Sequence, residues 1–472
     1  MRGLEPPAPS EPDASLPAAP PPRDTSVRGW MRRVLGLDRA IGFTILARVW
    51  SSCAGIVTVA LIARFLTGAE QGYYYTFGSL VALQIVFELG FSFVILQMAS
   101  HERARLSITD KYEISGDAVA HARLASVIQR SVRWYSAAAV LMVATLIPAG
   151  FHFFTAHQQG GVAVQWQVPW TLAAVMASLN FQIDPMLSFF EGCGFVPQVA
   201  RLRFFQSMVG SLIAWTALAT HHGLFAPAMM LLGMACTSAV WLAHKRRMIL
   251  GLLRYECGKD RIHWGREVWA FQWRIAVSWL CGYFLFQLFN PVLFAYRGPV
   301  AAGQMGMSLS LANAVQAIAI SWISTKAAPF GILIARKEYG QLDHIFFRAI
   351  RSAAVVCVAG GSVIWLGCIY IEAHHYRFAQ RLLSPTLVAI LLVSATINVL
   401  IAGQAYYLRS HKQEKLLLAS VAGAVMIGLS TFLLGRSYGA AGMVMGYCVL
   451  NVVGLVWATL IFRKYRRLWH AA

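Results

Sequence analysis

Five side chains capable of ionic or strong polar chemistry interrupt long apolar runs: Arg48, Gln84, Glu88, Asp184 and Lys326. A charge in a bilayer interior costs about 2.5–3.5 kcal/mol on insertion scales, so each is a functional candidate. Arg48 lies on a polar stripe with Thr44, Ser51, Gly55 and Thr58. Those spacings place all five on one helical face, which turns Arg48 toward protein or water. Gln84, Glu88 and Ser92 follow in the next apolar run, four residues apart. At 1.5 Å rise per residue, Arg48 and Glu88 both fall in the inner half of the membrane. Two readings are open. One is a buried Arg48–Glu88 pair that fixes the helical hairpin. The other is an anion site, because a guanidinium matches phosphate geometry through two parallel hydrogen bonds. In that reading Arg48, Gln84 and Lys326 contact substrate, and Glu88 holds Arg48 while the site is empty.

Asp184 belongs to a second stripe, Asn180, Asp184, Ser188 and Glu191, with Pro185 expected to bend its helix. It suits an ion pair, a proton or a coupling cation, and is equally compatible with helix packing. Lys326 precedes nine uncharged residues, 327–335, and either lines a cavity or snorkels to the surface. Asn290-Pro291 marks an expected kink. His221-His222 and His374-His375 fall in predicted outer loops, where solvated residues explain them as well as a metal does. The eight cysteines show no metal-ligand spacing. There is no Walker loop, dinucleotide fingerprint or serine-nucleophile elbow, so neither a metal nor a cofactor is expected.

The elements that position these residues follow from composition. Of 472 residues, 58% are hydrophobic and only 13% charged, and mean hydropathy is +0.57. Those values predict an all-α polytopic membrane protein. Run length and flanking charge place about twelve spans near 41–66, 73–99, 134–154, 168–190, 204–222, 224–243, 272–296, 304–330, 351–371, 386–408, 416–435 and 439–462. The formal charge of +20 invites a nucleic-acid partner. Its distribution removes that reading. Of 40 Lys and Arg residues, 34 fall in predicted inner segments and four in outer loops. That is the positive-inside pattern, with both termini cytoplasmic.

Residues 1–40 form an expected disordered, Pro-rich cytoplasmic tail without the apolar core of a signal peptide. Residues 117–133 carry Leu124, Val127, Ile128 and Val132 on one face, expected to lie on the inner leaflet. The stretch 244–274 mixes eight cations with Trp264, Trp269 and Trp273, as an interfacial anchor would.

The spans divide into two similar units. AEQGYYYTFGSLVALQ (69–84) aligns with AGQMGMSLSLANAVQA (302–317), Gln71 on Gln304. The same offset carries Ile41 to Arg274. Two six-helix bundles, 41–243 and 272–465, are therefore expected around a central cavity. A basic linker (244–271) joins them and a short inner tail (466–472) follows. Six spans per unit gives both the same orientation.

The junction ARFLTGAEQGYYYTF and the run FELGFSFVILQ resemble the Wzx-type polysaccharide flippases of the multidrug/oligosaccharidyl-lipid/polysaccharide exporter superfamily. The likeness in layout spans 41–465, and the local motifs are specific at superfamily level. ARVW (47–50) is also similar to a turn in the first span of lipid II flippases, whose arginine lines the cavity near the substrate pyrophosphate. By that resemblance the role falls on Arg48. The resemblance implies flipping of an undecaprenyl-pyrophosphate-linked oligosaccharide across a bacterial cytoplasmic membrane for surface polysaccharide or O-antigen assembly. The implied partners are that lipid-linked substrate, membrane lipids, and a polysaccharide polymerase and glycosyltransferases. A cation-coupled small-molecule exporter shares the architecture. A membrane glycosyltransferase or ligase is disfavoured by the short, charge-poor outer loops.

Overall fold

The computed structural model describes residues 39–109, 113–158, 164–258, 261–262, 264–267, 269–411, 413 and 415–470. The Pro-rich tail and the side chain of Arg48 lie outside the described residues. The chain is helical almost throughout. The first unit contains α1 (Arg39–Phe65), α2 (Gly68–Val81), α3 (Ile85–Glu88), α4 (Phe91–Arg103), α5 (Ala118–Ala156), α6 (Gln167–Gly192), α7 (Val196–Ala219) and α8 (Ala226–His244). Short helices α9 (Arg246–Arg254) and α10 (Trp264–Glu267) form the connection. The second unit contains α11 (Trp269–Phe286), α12 (Phe289–Arg297), α13 (Pro299–Ser324), α14 (Ala327–Ala335), α15 (Tyr339–Ala373), α16 (Pro385–Ser410) and α17 (Leu417–His470). A two-stranded antiparallel ribbon, β1 (Leu106–Ile108) with β2 (Ile114–Gly116), pairs Ser107 opposite Ser115 between α4 and α5.

Every one of the twelve predicted runs is helical. Among the described residues, six helices are long and apolar enough to cross a membrane, and the bent pair α2–α4 makes seven. Helices α6 and α7 are less apolar because they carry polar groups, such as Asn180, Gln182 and Asp184 in α6 and Arg201, Arg203 and Gln206 in α7. Helix α17 covers the last two runs, and Gly439 breaks it at φ +64°, a left-handed conformation that glycine adopts without a Cβ clash. The outward faces are apolar and exposed, as at Val355, Val363, Leu366, Leu433 and Val449. This is an all-α, polytopic membrane protein.

Two expectations need adjusting. Residues 117–133 do not form a separate surface helix. Asp117 caps α5, and no Gly or Pro interrupts the chain before Pro148, so one helix runs on to Ala156. Its apolar face packs on protein: Leu124, Val127 and Ile128 are fully buried. Gln129 donates to the carbonyls of Leu252 (3.0 Å) and Tyr255 (2.8 Å), docking the α9 segment against α5. The basic connection is thus partly a packed element, with Met248 and Leu252 buried. Second, the break in the seventh span falls at Gln287–Leu288, just before Asn290-Pro291, because α12 starts anew at Phe289. Pro185 sits within α6 without ending it.

Candidate transport site at a broken span

The second span is not one helix. After α2 the backbone tightens into a 3-10 turn, Ala82–Gln84, and α3 lasts only to Glu88. Leu89 (φ 49°) and Gly90 (φ 69°) then adopt left-handed conformations, and α4 starts at Phe91 with the axis turned by 45°. A left-handed conformation at a residue with a Cβ costs roughly 1–2 kcal/mol. Strain of this kind clusters at functional sites. Non-helical backbone at membrane depth belongs where it is buried in protein or lines a cavity.

Glu88 is the last residue before that break. Its carboxylate accepts from the Ser92 hydroxyl and lies within electrostatic reach of Asp184. Ser92 Oγ is 3.1 Å from Tyr135 Oη, so Tyr135 can donate to Ser92 while Ser92 donates to Glu88. Tyr135 is held by Phe91 and Phe181, with ring centroids at 5.6 and 4.8 Å. On α6, Gln182 donates to Ser136 Oγ (2.7 Å). Asn180 donates to the Leu231 carbonyl (2.8 Å), fixing α6 against α8. Asp184 is exposed, and Glu191, about two turns further along, binds Arg203 at 3.2 Å. The broken span, α5 and α6 therefore bring two carboxylates, a tyrosine and a serine together.

The expected residues are distributed as follows. Glu88 belongs to this cluster, and Asp184 lies in electrostatic reach of it. Gln84, half-buried, ends the 3-10 turn one helical turn before Glu88. Arg48 lies on α1, which packs chiefly along α7. Trp50 Nε1 donates to Ser211 Oγ (3.1 Å) and Trp215 Nε1 to Thr58 Oγ1 (2.8 Å). Ser51 and Gly55 of the Arg48 stripe are exposed. The described partners of Glu88 are Ser92 and Asp184; pairing with Arg48 lies outside the described residues. Lys326 is exposed at the interruption between α13 and α14. Sequence reasoning missed Tyr135 and Gln182. The signal available was Gln182 two residues before Asp184; nothing local singled out Tyr135.

The opposite, cation-poor end is closed by the aligned segments of the two units. Helices α2 and α13 run side by side there. A Cβ on Gly72 would overlap the Pro299 carbonyl, and one on Gly306 would overlap the Tyr75 ring. Only glycine permits this approach. Gln71 Nε2 donates to the carbonyls of Gly303 (2.8 Å) and Arg381 (3.0 Å), and Gln304 Nε2 to that of Gln380 (3.0 Å). Arg381 reaches back to the Leu66 carbonyl at 2.5 Å. Burial lowers the pKa of Arg381, and neighbouring Glu70 opposes that shift. Phe294 of the second unit inserts against Tyr73 (4.9 Å) and Phe154 (5.3 Å) of the first. Asn290 donates to Ser79 Oγ (3.1 Å) deeper in the same seam.

With this geometry described, solved structures of the same fold can be compared. An inward-facing multidrug resistance MATE transporter of the MOP superfamily matches with TM-score 0.62 at 16% identity, over 90% of this chain and 99% of that one. The MATE multidrug transporter DinF-BH matches with TM-score 0.59 at 11% identity, over 91% and 96%. The lipid II flippase MurJ, inward closed, matches with TM-score 0.50 at 13% identity, over 89% and 87%. The chain shares the fold of these MATE and MurJ structures. No protein-family profile matches the chain, and no curated protein sequence does.

Proposed function

We propose that this protein is an alternating-access transporter that flips an undecaprenyl-pyrophosphate-linked oligosaccharide across the bacterial cytoplasmic membrane. The observation that carries the transport reading is a shared design of two helices. Helices α2 and α13 interlock at the cation-poor end, and each path is interrupted further on, at Leu89–Gly90 and at Thr325–Lys326. Interrupted helices in corresponding positions of two units mark the substrate and ion sites of many transporters. Ionisable residues, Glu88 and Lys326, stand at these two interruptions. The greater likeness to an inward-facing transporter (0.62) than to an outward-facing one (0.51) supports a state closed at the cation-poor end.

The flippase cargo is supported by the likeness of fold to MurJ and by Arg48 and Lys326, cations that interrupt apolar runs of the sequence. In this reading Arg48 binds the pyrophosphate, Gln84 and Lys326 assist, and the polyprenyl tail stays in lipid. The positive-inside pattern gives both termini a cytoplasmic location. A second reading, cation-coupled export of small molecules, is favoured by two intramembrane carboxylates, Glu88 and Asp184, in electrostatic reach of each other, a chemistry that suits a proton.

Deletion in the source cell separates the two. A flippase leaves lipid-linked oligosaccharide trapped in the inner leaflet and bare cell surfaces. An exporter leaves surface glycans intact and raises sensitivity to amphiphilic toxins. Intact glycan with no trapped intermediate contradicts the flippase reading.

A further inference from the structure

We propose that a cavity at the cation-rich end of the second unit, remote from the broken span, binds the phosphate group of an anionic membrane lipid. The cavity measures about 570 Å³ and is lined by Asp343, His344, Phe347, Arg348, Arg351 and Arg466, with Ser352 at its edge. Three guanidinium groups face one carboxylate, and that carboxylate is already engaged. Arg466 binds Asp343 through two nitrogens, at 2.9 and 2.6 Å, and Tyr407 donates to its other oxygen at 3.0 Å. His470 Nδ1 lies 3.6 Å from the same carboxylate. Arg466 also lies over the Phe347 ring, 5.1 Å from its centroid, which fixes one wall.

Arg348 and Arg351 remain. Arg348 donates one N–H to His344 Nε2 at 2.8 Å, which requires that nitrogen to be unprotonated. Among the described residues, neither arginine has a carboxylate within ion-pair distance. Both are exposed. The site therefore keeps uncompensated positive charge with free guanidinium N–H groups, the donor set that phosphate oxygens accept in pairs.

The helix itself indicates an amphiphile. His344, Arg348 and Arg351 follow one another at spacings of four and three, and the same face continues through Val355, Val358, Ser362 and Leu366. Val355, Val358 and Leu366 are 62%, 54% and 58% exposed on the outside of α15, so they face acyl chains. Cationic residues thus pass into a lipid-facing apolar strip along one helix face, at the level where headgroup meets chain. Basic pockets at this depth recognise anionic headgroups.

The experiment uses the full chain purified in neutral detergent, with bound lipid read by native mass spectrometry. Phosphatidylglycerol should be retained at least fivefold over phosphatidylcholine. The double variant Arg348→Gln with Arg351→Gln, which leaves the Asp343–Arg466 pair intact, should lose that preference. Arg377→Gln, an exposed arginine at the other end, should keep it. Inorganic phosphate at millimolar concentration is the second arm. If it leaves phosphatidylglycerol bound, the acyl strip contributes and the ligand is a lipid. If it displaces phosphatidylglycerol, the site reads a phosphate group from either source. Equal retention of the two lipids, or a preference undiminished in the double variant, overturns the proposal.

Discussion

At the scale of single residues, the account rests on a few polar side chains whose surroundings give them little choice. Glu88 sits at the end of a half-helix with Ser92 as a donor and Asp184 close by. A carboxylate with a second one in electrostatic reach favours capture of a proton or a cation. Glu88→Gln keeps the shape and removes the charge. It should therefore reduce gradient-driven transport at least tenfold with near-normal protein abundance, measured in membrane vesicles against immunoblots. A parallel fall in abundance would mean that Glu88 is structural. Gln71 acts on the conformational equilibrium. Its amide satisfies two buried carbonyls, and each one left unpaired costs about 1–3 kcal/mol. Gln71→Leu should shift the population away from the closed cation-poor end by tenfold or more, since 1.4 kcal/mol is a decade. Thiol labelling of Tyr75→Cys from that side would report the shift, and unchanged labelling would refute it. Of these residues, the charges were legible in the sequence because charge in an apolar run is conspicuous. Their partners were not. Helical depth matches Glu88 with Arg48, a pairing outside the described residues; the described neighbours of Glu88 are Ser92, through it Tyr135 of α5, and Asp184 of α6 in electrostatic reach.

At the scale of elements, the broken second span is the main feature. Leu89 and Gly90 both take left-handed conformations, and only Gly90 does so without a Cβ penalty. Leu89→Gly should therefore leave folding intact, whereas Gly90→Val should lower thermal stability or expression by the equivalent of 1–2 kcal/mol. Equal tolerance of both changes would place the break elsewhere. The run FELGFSFVILQ reads as an uninterrupted apolar span because glycine is common in membrane helices and no proline marks the turn. The opposite error occurred at α5. An amphipathic stretch and an apolar stretch were read as two elements, but nothing in 118–147 stops a helix, so they form one. The twelve apolar runs themselves were legible. Run length and loop charge depend on bilayer thickness and solvation, which act on composition without reference to tertiary partners.

At the scale of the whole molecule, the two units meet through the very segments whose likeness is visible in the sequence. Gln71 and Gln304 align there, and both donate to consecutive carbonyls of one loop, at Arg381 and Gln380. The alignment of these two segments is readable in the sequence; that they pack against each other is seen in the structure. The central claim is that transport needs this seam to part. Gly68 and Val300 lie across it, with a Cβ on Gly68 only 3.7 Å from the Val300 methyl groups. Gly68→Cys with Val300→Cys, in a background with exposed Cys53 and Cys236 replaced by Ala, provides a reversible lock. The measurement is translocation of lipid-linked oligosaccharide by reconstituted proteoliposomes, before oxidation, after it, and after reduction. Oxidation should reduce translocation at least tenfold, and reductant should restore it. Undiminished translocation by the fully cross-linked protein would contradict the need for this seam to part.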